Sequence, residues 1–463
     1  MLKPAACTKR RVFSCLCAGA MLLWYPLVAH WLDPTSIGFD LFRPSVLGQL
    51  FNSMAEHLLR GRFDVDPAAV DFEVFLVGDR AIAYFGIFCA LLRIPLVLVP
   101  SLAKLDVTWL SCLLATWIGA WFQLKTVLLA RDAVPPGESR DWLCVALCLA
   151  ILFGGQQIQF LRPSVYQEVI GWAGAEAAVF VWLTARGLLT PIGFSRGTMT
   201  AMAVCAGLAL LTRVSFGIGL YAAMAWLLLH RRHALPAAVL LGFACAAGIV
   251  NQGRWGNPLI FADFTRYSLN LDVYPDRLTR LAEYGAFNVQ RLPIGLAYYI
   301  LPLWALIRPD GHFLWAETQT RLIDAMELPP GALLLSDPLP IALTCVALWR
   351  LRDGAKPRLI GGLFAGLALP GLLMLCAISM TYRYRMEFYP FLGLGVALGM
   401  GRLCRLRTTP STAIKVCMIA ATLLGIAVSH AQLALYLVSP WGPAEQYILP
   451  DGWIGTYAPR LAR

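Results

Sequence analysis

The sequence predicts an all-α polytopic membrane protein. Three observations carry that reading. The chain of 463 residues is 59% hydrophobic and only 14% charged, against about 25% charged residues in a soluble domain. Its mean hydropathy is +0.65. Its apolar residues gather into long runs separated by short basic clusters, the pattern that membrane spans and the positive-inside rule produce. The net charge of +11 therefore marks loops, not a nucleic-acid surface: no basic face or aromatic platform accompanies it.

Taken in order, MLKPAACTKRR precedes an apolar run from Val12 to Leu32. Lys9, Arg10 and Arg11 beside that run place the N-terminus in the cytoplasm. The run is too long for a signal peptide and no small-x-small site closes it, so it is read as the first span. Further runs fall near 81–103, 107–130, 141–155, 169–187, 199–212, 214–230, 235–250, 293–307, 338–350, 359–378, 387–401 and 413–438. Basic clusters at 230–233, 350–358 and 402–407 calibrate orientation, and counting every run as a crossing violates it.

Two runs resolve the conflict. The run 81–103 holds Arg93 and Pro95 in its middle and is read as an interfacial or re-entrant helix. The run 293–307 becomes a helix embedded in one large outer region, 251–337. An alternative makes 199–230 one long interrupted helix. The preferred count is about eleven transmembrane helices, within a range of ten to thirteen. The chain then forms a single integral membrane domain, 1–463. It has a first outer (periplasmic) loop at 33–103, a second at 251–337, C-terminal helices at 338–438 and an outer tail from Ser439 to Arg463.

The first loop is where chemistry is expected. Asp33 to Arg80 holds eight of the 27 acidic residues. Within it, PSVLGQLFNSMAEHLLRG (44–61) spaces apolar residues as an amphipathic helix, lying on the membrane face or packed on the bundle. Asp40 stands before that helix. A carboxylate at the rim of a cavity is pushed towards the working pH by burial and can act as a general base; otherwise it caps a loop. In RFDVDPAAVDFEVF, Asp66 precedes Pro67 and shapes a turn. Asp71 and Glu73 alternate with apolar neighbours like a short strand. Turn, cap or solvated roles are expected for the remaining acids.

Three later segments carry ionisable residues at span ends. QFLRPSVYQEVIGWAGA (159–175) brings Arg162, Tyr166 and Glu168, followed by small residues suited to close helix packing. GLALLTRVSFG (207–217) sets Arg213 between two apolar runs, where an unpaired charge is costly and so suggests function. MTYRYRMEFYP (380–390) adds Arg383, Tyr384, Arg385 and Glu387. Separated arginines facing one cavity suit a phosphate or diphosphate, which guanidinium binds bidentately. The competing reading is ion pairing within the chain, for instance Arg162 with Glu168. The thirteen cysteines fall mostly within apolar runs as small hydrophobes. HRRH at 230–233 reads as a stop-transfer cluster, and no metal site is expected.

The order of these features resembles the GT-C superfamily of membrane glycosyltransferases, which includes protein O-mannosyltransferases and aminoarabinose transferases. The features are a short basic N-terminus, one span, an acidic outer loop, AYFGIFCALLRIP, an Arg…Tyr…Glu segment, GLALLTR and a late Arg-Tyr. The resemblance covers the chain to about residue 400 and lies in order and placement. It implies transfer of a sugar from a polyprenyl-phosphate donor to a lipid, glycan or protein acceptor, at the outer face of an inner or plasma membrane. A first-loop carboxylate would be the base, mapping onto Asp40. Arginines holding the donor phosphate would map onto Arg162, Arg213, Arg383 or Arg385, supported by Tyr166, Glu168 and Tyr384. Two departures stand out: the acidic pair of some members is here a lone Asp40, and AYFGIFCALLR replaces their His-Pro-Pro. Asp71 and Glu73 therefore stay open as the base. A phosphate leaves readily, so no metal or other cofactor is required; a divalent metal is compatible but not indicated.

The main competing class is a secondary transporter, which would place charges on broken helices at the midplane and often repeat itself internally. No repeat between the halves is found, and the carboxylates cluster in a loop. A glycan polymerase or ligase, or an inactive scaffold of the same architecture, are the other readings.

Overall fold

The computed structural model describes residues 4–31, 40–155, 157, 161–302, 308, 316–327, 331–352, 356–406, 411–438 and 458–459. Each of the eleven runs read as a crossing forms a helix. They are α1 (Pro4–Trp31), α4 (Thr108–Asp132), α5 (Glu138–Phe153), α6 (Val165–Leu189), α7 (Arg196–Thr212), α8 (Val214–His230) and α9 (Ala234–Trp255). After the second loop come α12 (Pro338–Trp349), α13 (Pro357–Leu375), α14 (Tyr389–Leu406) and α15 (Thr412–Val438). Six of them (α1, α4, α6, α9, α13 and α15) are long and apolar enough to cross a membrane by length and composition. The protein is an integral membrane protein built almost wholly of helix.

The two runs set aside are short helices. α3 (Phe88–Val97) has 10 residues and α11 (Leu292–Ile300) has 9. At about 1.5 Å per residue neither spans the roughly 30 Å of hydrocarbon. The part of the second run at 303–307 lies outside the described residues, as do 33–39 of the first loop and most of the tail.

Arg213 decides between the two readings of 199–230. Its backbone is extended, with φ −150° and ψ 114°, and the chain reverses there. A Cβ on Gly217 would stand 2.5 Å from the Leu210 Cα, a contact that a continuous helix cannot make across two turns. The segment is a helical hairpin, and the long interrupted helix is excluded.

The loops gather at one end of the bundle. α2 (Leu50–Leu59) buries Leu50, Phe51, Met54 and Ala55 against α3, so the amphipathic segment is a packed helix. β1 (Phe75–Val77) and β2 (Arg80–Ile82) form an antiparallel hairpin with Val77 opposite Arg80. From the second loop, Tyr267 bridges to Phe75 and stacks on its ring at 4.8 Å. α10 (Asp276–Tyr284) continues that loop. β3 (Ala325–Met326) pairs in parallel with β4 (Ser379–Met380). That pairing brings the loop before α12 against the segment Tyr382–Phe388, whose seven residues form a tight helical turn. Arg291 ties this side together. It is fully buried and donates to the carbonyls of Leu322, Ala286, Cys376 and Gly285.

The strand expected over Asp71 and Glu73 is not there. Residues 67–70 and 71–73 are two short helical turns, and β1 begins at Phe75. Asp71 joins the turns with φ +44°, in the left-handed region that a non-glycine residue rarely adopts. Alternation would have put both carboxylates on one face; the turn exposes Asp71 and buries Glu73.

Candidate functional site

Glu73 is the centre of the site. It is 7% exposed, and its Oε1 accepts from the Tyr166 hydroxyl at 2.5 Å. Tyr267 donates a second hydroxyl to it. One helix start and two loops thus meet on one carboxylate. Pro163 and the extended Ser164 start α6 just ahead of Tyr166, which aims that hydroxyl at the loop. Burial pushes the Glu73 carboxyl above the usual carboxylate range, while the two hydroxyls and the nearby Arg383 charge pull the other way.

Arg383 links this carboxylate to the rest of the cluster. Its guanidinium lies 4.3 Å from the Tyr166 ring centroid and 5.5 Å from that of Tyr384, in cation–π range. Arg213 sits over Tyr384 at 4.6 Å and donates from Nε to Glu387 at 2.6 Å. Arg162 donates to the Tyr436 carbonyl at 2.8 Å and stands 3.9 Å from Glu327. Glu327 is buried, accepts from the Tyr382 amide at 2.8 Å, and feels both Arg383 and Arg162. Burial raises its carboxyl and those two charges lower it.

The candidate residues therefore separate. Glu73, Tyr166, Arg162, Arg213, Arg383 and Tyr384 form one connected cluster. Glu168 does not join it. Two positions after Tyr166 it faces the other side of α6, where both its oxygens accept from Arg93 at 2.7 and 2.9 Å. The competing reading, ion pairing within the chain, holds for both residues with other partners: Arg93–Glu168 and Arg162–Glu327 in place of Arg162–Glu168. Arg385 is fully buried behind the cluster. It donates to Ser336 at 2.6 Å and Gln432 at 3.2 Å, and lies 4.0 Å from Asp337. Asp40 is exposed and accepts from the Phe42 amide at 2.8 Å, a local turn contact. Asp71 is exposed. Asp64, expected as a turn or solvated acid, is buried with His57 at 3.0 Å. Burial opposes its charge, yet Arg62 and His57 hold it down to about 2.

Of two clefts, one shares Arg213 with the cluster. It encloses about 620 Å³ of empty space, its mouth included, between Tyr84, Phe85, Gly86, the Arg213 hairpin and the end of α9. Gly86 makes that wall: a Cβ there would stand 2.2 Å from the Leu211 carbonyl oxygen and 2.4 Å from that of Thr212. The other cleft, about 900 Å³ with its mouth, is almost entirely apolar. It runs among α4, α5, α6, α12, α14 and α15, with Ser336 and Asp337 at its polar end. Among the described residues no group of three or more His, Cys, Asp or Glu is placed to hold a metal ion.

Comparison with known proteins gives a limited answer. No protein-family model and no curated protein matches the chain. The chain is similar to solved structures of the archaeal oligosaccharyltransferase AglB from Archaeoglobus fulgidus. In complex with an inhibitory peptide and a dolichol-phosphate, that protein is 14% identical at a TM-score of 0.44, over 92% of this chain and 56% of that one. Its apo form gives 14% and 0.47, over 90% and 56%. The chain is also similar to ArnT from Cupriavidus metallidurans bound to undecaprenyl phosphate, at 14% identity and a TM-score of 0.44, over 95% and 76%. The chain spans little more than half the length of AglB. No residue correspondence follows at these values, and the chemistry of the site rests on its own geometry.

Residues that the sequence reading missed are Glu327, Tyr267 and Tyr436. Each lies in a loop or in the last turn of a helix, far along the chain from the partner that makes it part of the site.

Proposed function

We propose that this protein is a membrane glycosyltransferase that moves a sugar from a polyprenyl-phosphate donor to a hydroxyl acceptor at the outer, periplasmic face of the cell membrane, the N-terminus being cytoplasmic. The observation that carries the reading is Glu73: a buried, hydroxyl-held carboxylate in the field of Arg383, in one cluster with Arg213, which lines a cleft. Such a pair suits displacement at an anomeric carbon. Glu73 takes the proton of the acceptor hydroxyl as its oxygen bonds to the anomeric carbon, and the carbon–oxygen bond to the phosphate breaks. The lipid phosphate departs with the electron pair, its charge met by Arg383 and Arg213. The apolar cleft offers room for the isoprenoid chain. Asp40, Asp71 and Arg385 stay outside the chemistry in this reading, and the acceptor is a lipid, glycan or protein.

The test is restoration of a surface glycan or glycolipid in a strain lacking the native gene, joined to turnover of a polyprenyl-phosphate sugar by purified protein in detergent. Arg383→Ala is expected to lower turnover by about a hundred- to a thousand-fold, and Asp40→Asn to leave it within a few-fold. Loss in Asp40→Asn with activity kept in Glu73→Gln would move the base to Asp40. Because detergent abolishes any gradient, turnover there also separates an enzyme from a transporter.

The acid limb of the pH profile gives a second check. Glu73 must be ionised to act, so the rate rises with pH through its raised carboxyl value. Tyr166→Phe removes a hydroxyl that stabilises the carboxylate, which raises that value further. The acid limb of kcat/KM is expected to move to higher pH in this variant; an unmoved limb would dissociate Tyr166 from the titrating group.

A further inference from the structure

The backbone that carries Glu73 is fixed at both ends. The Asp66 carbonyl accepts from the Ala69 and Val70 amides at 2.9 and 3.3 Å. The Asp71 amide donates to the Pro67 carbonyl, and the Val74 amide to that of Asp71 at 3.3 Å. A continuous series of backbone bonds thus runs from Asp66 to Val74, with Glu73 near its end and the fully buried Val70 in its middle. Beyond it, the bridge to Tyr267 holds Phe75. The place of the Glu73 carboxylate therefore depends on what holds Asp66.

Helix α2 holds it. Ser53 and His57 stand four residues apart, on one face of that helix. Ser53 Oγ donates to Asp66 Oδ2 at 3.1 Å and accepts from the Asp66 amide at 2.8 Å. His57, only 4% exposed, faces Asp66 Oδ1 with Nε2 at 3.3 Å and Asp64 Oδ1 with Nδ1 at 3.0 Å. Contact with both carboxylates at once takes two N–H groups, which imidazolium has and the neutral ring lacks. Arg62 also pairs with Asp64, so the second charge of His57's surroundings, Asp66, falls to His57. The Asp66 side chain makes no capping bond to its own turn, and 62% of it is open to solvent. It is spent on α2, and without Ser53 and His57 it is free to turn away.

We infer that His57 is a positioning residue for Glu73: with Ser53 it clamps Asp66 to α2, and so fixes the turns that aim the Glu73 carboxylate at the Tyr166 and Tyr267 hydroxyls. The inference deepens the sugar-transfer reading and rests on it only for the role of Glu73. The clamp itself can be measured without turnover, so failure of one idea is distinct from failure of the other.

The experiment uses the full chain in detergent and two readouts: hydrogen–deuterium exchange of the amides of 67–74, and the acid limb of kcat/KM with a polyprenyl-phosphate sugar. His57→Ala is expected to speed that exchange about tenfold, the opening that follows loss of a hydrogen bond to a charged group, while α4 and α6 keep theirs. The acid limb is expected to move to higher pH, as in Tyr166→Phe, because Glu73 slips from its hydroxyls. The groups that act on Glu73 (Tyr166, Tyr267, Tyr84, Arg383 and Arg277) are unchanged by the substitution. Adding Tyr166→Phe to His57→Ala should move the limb little further. Asp66→Ala breaks the clamp from its exposed side, sparing the buried ring, and should reproduce both effects. Asp66→Asn should reproduce neither, since its oxygen can accept from His57 and its amide can donate to Ser53. The inference is overturned if exchange over 67–74 stays at the wild-type rate in His57→Ala and Asp66→Ala. It also fails if exchange rises and the limb stays in place, which would make the clamp a local staple without bearing on Glu73. Asp66→Asn behaving as Asp66→Ala does would overturn it too, by assigning the effect to bare charge.

Discussion

Glu73→Gln is expected to slow sugar transfer by about a hundred- to ten-thousand-fold, the range that a positioned general base contributes. The change is well suited to isolating chemistry from folding. Burial already favours the uncharged form of this side chain, so a neutral amide of the same shape suits the pocket as well as the acid does. The Tyr166 and Tyr267 hydroxyls can still donate to the amide oxygen. The unfolding midpoint should therefore stay close to that of the wild type while turnover of a polyprenyl-phosphate sugar collapses. Donor affinity should change little, because the donor's phosphate is met by arginines and not by Glu73. Normal turnover by Glu73→Gln would remove Glu73 from the mechanism outright. A large fall in midpoint together with turnover would make it a structural acid holding the two loops together.

The helices were legible because hydropathy is a local property. All eleven runs counted as crossings became helices, and the two set aside for Arg93, Pro95 and orientation became short ones. The site was only half legible. Arg213 and Arg383 announce themselves as charges at the ends of apolar runs, and both joined the cluster. Asp71 and Glu73 could not be told apart, since alternation put them on one face; the left-handed backbone at Asp71 that separates them leaves no pattern in the residue types. Asp40 was favoured for its place after the first span, but place along the chain says nothing about burial. His57 was not singled out, for a deeper reason. Its interest lies in facing two carboxylates at once, and pairing is a property of the folded whole: Glu168 goes to Arg93, Glu387 to Arg213 and Asp66 to His57.

Arg93→Met is expected to destabilise the protein by about 3–5 kcal/mol, the cost of leaving a buried carboxylate without its partner. Arg93 and Glu168 expose 4% and 0% of their side chains, and a single Arg93 nitrogen reaches both Glu168 oxygens. The pair fastens α3, which is too short to hold its own place in a bilayer, to the start of α6, which carries Tyr166 to the site. Glu168→Leu strands the arginine instead, and should cost a similar amount. The double variant Arg93→Met with Glu168→Leu fills the same space with apolar groups and removes both desolvated charges. It is expected to recover most of the loss, because a buried ion pair is often no better than hydrophobic residues of like volume. The three variants form a cycle whose coupling is read directly from unfolding in detergent. Additive single losses would show that the two residues act independently. Recovery of stability without recovery of turnover would show something more: that the charge pair, and not the packing alone, sets the height at which the chain leading into α3 presents Phe85 and Tyr84 to the cleft that Arg213 lines.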